Sequence, residues 1–264
     1  MTVNPEQLDG PAGPARPAIR PALATTPPDP TDPGFPPMEQ ALARQVRAQR
    51  EDDPLAGVKV GARLFYDKLI EILQDDPNGV RAELVLGVPA ALAGFACQAA
   101  TWESLVVNEG YAMESVFLVA GTADGAEYPF SDPMNKLLLE DTHSVWWLVA
   151  SAARAVTDAP LPNVEEIVSH VVGTVGTPEF GQPRLPAGSS LGNNPPKELV
   201  DAAWPRFLPL LGLTCVMPEE WPILFGVALQ RAMSAVQQLV DPVKACTIIM
   251  ECAVPMAHLP MVRT

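Results

Sequence analysis

Leu84-Val-Leu-Gly-Val-Pro-Ala-Ala-Leu-Ala-Gly-Phe-Ala-Cys-Gln-Ala-Ala100 is the longest apolar run of the chain. Gly87, Pro89, Gly94 and Gln98 interrupt it, and it falls short of the roughly 20 residues that a bilayer span needs. It reads as buried core. With its flanks, Val80 to Val107 predicts one helix, broken or kinked at Pro89 because proline removes a hydrogen bond and crowds the preceding turn. A helix that is apolar all round must be enclosed by other elements. This stretch therefore sets the expectation of a mainly α protein.

Punctuation places the surrounding helices. Val60 to Gln74 is periodic and closes at Asp75-Asp-Pro-Asn-Gly79. Asp132-Pro133 opens Met134 to Asp141, with an acidic cap followed by proline in the first turn. Thr142 to Val156 holds Trp146 and Trp147 and is apolar on nearly every side, which predicts a central position. Asn163-Val-Glu-Glu166 resembles a capping box opening a helix through Val172. Asn194-Pro-Pro-Lys197 starts a helix to about Leu211, and Pro218-Glu-Glu220 starts one to Val240. Asp241-Pro242 caps the last helix, whose only charges are Lys244 and Glu251; it too is expected to be buried.

One segment breaks the helical pattern. Ser115–Gly121 and Ala126–Phe130 flank Asp124-Gly125, a pair suited to a two-residue type I′ turn. That turn places Tyr128 opposite Gly121 and Pro129 opposite Ala120. No second strand pair is apparent.

Residues 1–37 carry 11 prolines and few large apolar side chains. Such a segment buries too little surface to offset the entropy of ordering it, so a disordered tail is expected. Its PxxP matches, Pro11 to Pro14 and Pro14 to Pro17, are nearly unavoidable at this proline density. Residues 38–57 read as a connector helix, Met38 to Arg50, plus a linker, and 58–264 as a single irregular helical domain with one β-hairpin.

The chain has 31 acidic and 17 basic residues, a formal net charge of −14. That balance argues against nucleic acid and anionic membranes as partners, since both recruit Lys and Arg. Cys97, Cys215, Cys246 and Cys252 lie apart in apolar contexts, without zinc-site spacing, and read as reduced core thiols of a cytoplasmic protein. The first residues lack the basic and apolar regions of a secretory signal.

No catalytic constellation is coherent. Gly188-Ser-Ser190-Leu-Gly192 matches G-x-S-x-G, and Asp201 or Asp241 then His258 follow in hydrolase order, but no strand leads into the serine. Glu140-Asp-Thr-His143 is a single E-x-x-H where helical di-metal sites need two. Glu166 and His170 lie one turn apart with few further ligands available. No phosphate-binding glycine loop occurs. No metal and no cofactor are expected.

The remaining anomaly is length. Gly173 to Asn193 has no periodic pattern, and structureless loops of that size usually serve a function. Arg184 is the one basic residue between Arg154 and Lys197, and its guanidinium suits a carboxylate or phosphate. Phe180, Ser189, Ser190 and Asn193 could complete a site for a protein partner or a small anionic ligand. The leading expectation is a non-catalytic protein-interaction or assembly protein. The alternative is a small-molecule-binding protein or enzyme with its site under the 173–193 loop.

Overall fold

A computed structural model of the chain describes residues 19–32, 34–75 and 79–263. The helices are α1 (Pro37–Gln49), α2 (Ala56–Gln74), α3 (Ala82–Thr101), α4 (Met113–Val116), α5 (Asp132–Asn135), α6 (Val145–Arg154), α7 (Val164–Thr174), α8 (Pro196–Thr214), α9 (Glu220–Val236) and α10 (Pro242–Ala257). Wider π turns, Trp102–Asn108 and Lys136–Glu140, continue α3 and α5. The strands are β1 (Ile19–Arg20), β2 (Leu118–Gly121), β3 (Glu127–Phe130) and β4 (Val262–Arg263). The protein is mainly α, as the apolar run implies.

α3 lies at the centre, with every residue from Leu84 to Thr101 buried. It packs on α8, α9 and α10, and these helices share one hydrophobic core with α2 and α6. Small side chains allow the close approach. A Cβ at Gly94 would overlap the Ala253 carbonyl of α10. Of the break or kink expected at Pro89, the break does not occur: helix continues through it. Proline costs the helix one hydrogen bond there, and packing on all sides holds the flanking turns. With its π turn the span Ala82–Asn108 is long and apolar enough to cross a membrane, but its apolar window is wholly inside the fold.

Two of the expected caps form, whereas Asp132 lies within the first turn of α5 after Ser131 and makes no cap bond, and Glu166 does not return a bond to Asn163. Asp241 accepts bonds from the Val243 and Lys244 amides, and Asn163 from the Glu165 amide. α6 corrects its expectation. Ser144 caps it, and it buries only Val145, Leu148, Val149 and Ala153, leaving Trp147 46% exposed. Aromatic bulk made the helix look central although its buried stripe is one-sided.

The hairpin exists with a shifted register. Tyr128 pairs with Ala120, and Pro129 with Val119. The turn has three loop residues, because the Thr122 amide donates to the Ala126 carbonyl at 3.0 Å and the Gly125 amide to the Thr122 carbonyl. Only Gly125 has positive φ, +85°, which excludes a type I′ turn and fits a type I turn closed by a glycine bulge. The Thr122 hydroxyl, donating to Asp124, and Asp124, accepting from the Ala126 amide, stabilise this longer loop.

Two further corrections concern the chain ends. β1 and β4 form a second antiparallel pair, Ile19 opposite Arg263 and Arg20 opposite Val262. Of the tail expected over 1–37, residues 1–18 lie outside the described residues. From Ile19 the segment is docked: Pro21, Thr25 and Pro30 are buried, and the Trp204 indole donates to the Ala24 carbonyl at 2.7 Å. Proline carries little backbone entropy to lose, so a few specific bonds suffice to hold such a segment.

Candidate functional site

The 173–193 loop packs across α10. Its centre is Glu251, 4% exposed, on a helix otherwise apolar around it. The Arg184 amide and Nε each donate to Glu251 at 2.9 Å, and a guanidinium nitrogen lies 2.7 Å from the same carboxylate. Arg184 is thus engaged by a buried acid within the chain. Phe180 meets Tyr128 edge to face at 4.8 Å. The Ser190 hydroxyl accepts from the Gly192 amide, the Ser189 amide donates to Pro186, and Asn193 is exposed. None of these five residues lines either of the two grooves described below.

The other chemical groups are similarly engaged. The His258 ring is buried, bonded through Nδ1 to the Pro129 carbonyl at 2.9 Å and stacked on Phe130. A carbonyl only accepts, so Nδ1 carries the proton. Burial holds this imidazole below its ordinary range, a shift partly opposed by the Pro129 bond. Asp201 pairs with Lys197 and Asp241 caps α10, so no triad forms around Ser190. All four thiols are free, and burial pushes each up, Cys246 to about 12. Among the described residues, no group of three His, Cys, Asp or Glu could hold a metal.

Arg184–Glu251 belongs to a set. Glu220 of α9 accepts both arms of Arg50, at 3.0 and 2.6 Å. Glu127 of β3 takes Arg263 from the C-terminal strand. Glu103, in the π turn after α3, accepts from the hydroxyls of Thr25 and Thr26, at 2.9 and 3.2 Å. Each of the four glutamates is buried and each is met by a segment from the periphery. These are fastenings, and they account for the arginine that sequence singled out.

Two of the concave surfaces among the described residues combine an apolar lining with groups that could bind. One, of about 930 Å³, runs beside the hairpin and is lined by Ile19, Trp102, Val106, Phe117, Leu118 and Val119 among others. The second, of about 580 Å³, lies between α2, the start of α3 and α8. Its wall on α8 is Leu199, Ala202, Ala203, Arg206 and Phe207, a stripe at helical spacing beside the one that faces the core. That second stripe was the available sequence signal. Periodicity alone could not separate it from the buried stripe. No known protein family, curated protein or solved structure matches the chain.

Proposed function

We propose that the protein is a non-catalytic interaction protein that takes an extended segment of a partner along the open edge of β2. The observation that carries this reading is an unpaired strand edge beside an apolar groove. β2 pairs with β3 on one side, and among the described residues nothing pairs with the other. Thr122 and Ala126 form a hydrogen-bonded pair, so by alternation the N–H and C=O of Val119 and Gly121 turn to the open side. Leu118 stands there 76% exposed, with Trp102, Val106 and Phe117 lining the groove. Proteins usually blunt such edges with charge or cover. Strand addition supplies main-chain bonds for affinity and side-chain pockets for selectivity. The net charge of −14 favours a segment with basic flanks. The four unpaired thiols support a reducing compartment such as the cytosol.

Selection from a displayed peptide library tests this. Enriched peptides are expected to alternate apolar and polar residues and to slow amide exchange at Val119 and Gly121. Val119→Pro removes an outward N–H without touching the hairpin ladder, so it abolishes binding while the melting temperature stays nearly unchanged. Peptides that bind the proline variant as well as the parent, or a library that yields none, would overturn the reading.

A further inference from the structure

The groove between α2, α3 and α8 has a different chemistry. We infer that it binds a small amphipathic anion, a carboxylate carried on an unbranched apolar chain. Its volume, about 580 Å³, lies in the range of small-molecule sites. Leu69, Leu73, Leu84, Val88, Leu199 and Phe207 form an apolar floor and walls, and polar groups are confined to the ends.

The placement of those groups follows from helix register. Gly57 lies against Thr214, and Phe65 meets Phe207 with ring centroids 4.5 Å apart, so α2 and α8 run antiparallel. Asp75, capping the C-terminal end of α2, therefore stands level with the first turn of α8, near Asn194. Arg206 lies about 13 Å further along α8 at 1.5 Å per residue. One end of the groove is cationic, the other acidic and amide-bearing, and the stretch between is apolar.

Arg206 differs from the arginines described above. Arg50, Arg184 and Arg263 each hold a buried glutamate. Arg206 enters no ion pair among the described residues, although its side chain lines the groove. Its methylene stem extends the apolar wall while the planar fork at the rim offers two parallel donors to a carboxylate. The apolar floor provides the chain with cover, and the Asn194 amide at the far end is held by its bond to the Leu191 carbonyl. The overall negative charge slows the approach of an anion but does not cancel a bidentate contact, because surface charges beyond about 10 Å are screened at moderate salt.

Calorimetric titration of the full chain with dodecanoate, below its micelle concentration, tests the assignment. Saturable one-to-one binding is expected, tighter for dodecanoate than for dodecanol. Arg206→Gln, an exposed change, lowers dodecanoate affinity at least tenfold, leaves dodecanol affinity unchanged and leaves the melting temperature in place. Ala203→Trp fills the groove and abolishes both, with the circular dichroism of the parent as the check on folding. Absence of dodecanoate binding, equal affinity in the Arg206 variant, or tighter binding of dodecylammonium, which would assign the head group to Asp75, each overturns the inference.

Discussion

The centre and the edge of this protein are held by opposite means. At the centre, α3 and α10 meet through glycine and alanine, with no charge between them along the contact at Gly94. At the edge, four peripheral segments are each fastened to a buried carboxylate. Arg184 reaches Glu251 across 67 positions of sequence, Arg263 reaches Glu127 across 136, and Arg50 reaches Glu220 across 170. The central contacts gain from apolar area and close fit, which require no specific partner. The fastenings gain little net energy over an apolar replacement, but breaking one leaves a charge without a counter-ion in a poor solvent for it. The centre therefore specifies that the chain folds, and the fastenings specify where its loops and ends lie.

The largest expected effect is at the centre. Gly94→Val drives a side chain into the Ala253 backbone and should cost about 3 kcal/mol in urea unfolding. A loss below about 1 kcal/mol would mean that α3 and α10 can separate cheaply, and the contrast would fail. Next comes a fastening. Arg184→Ala should cost about 2 kcal/mol, below the range for fully enclosed pairs because the arginine side chain is half exposed. Adding Glu251→Gln should recover part of that loss by removing the stranded charge. If the double variant is no more stable than the single one, the penalty is lost packing rather than an unpaired carboxylate.

The smallest effect sharpens the boundary between the two regimes. His258 ends α10 and bonds the hairpin at Pro129. Its folded pKa is depressed by burial, so the unfolded chain binds the proton more readily. The stabilisation by the neutral ring is complete above the unfolded value, about 6.5, and is lost progressively as pH falls below it. The melting temperature should therefore decline between about pH 6.5 and 5 more steeply than in His258→Gln. Parallel slopes in the two proteins would show that the ring is not held neutral.

Periodicity and caps reveal the centre because they are local. Asp241, Asn163 and the apolar runs each report on neighbours within a few residues. The same locality explains the misreadings. Thr122-Ala-Asp-Gly-Ala126 suits a two-residue or a three-residue loop, and the choice rests on the Thr122 and Asp124 side-chain bonds. Trp146 and Trp147 made α6 look enclosed because apolar count was read without a stripe. Glu251 was legible as one of two charges on a buried helix, and Arg184 as a lone cation in a long loop. Nothing local joins them, so sequence alone leaves the arginine without a partner inside the chain. Arg206 carries no local signal, because it lies in an ordinary helical stripe that lines a groove.

The pairing of β1 with β4 has a mechanical consequence. Ile19 stands directly opposite Arg263, so a pull applied between these two residues opens the ladder like a zipper, loading its bonds one after another. The two-residue ladder and the Glu127–Arg263 tie would yield before tension reached α3. Force along the chain would strip the outer segments first, while the helical centre remained folded.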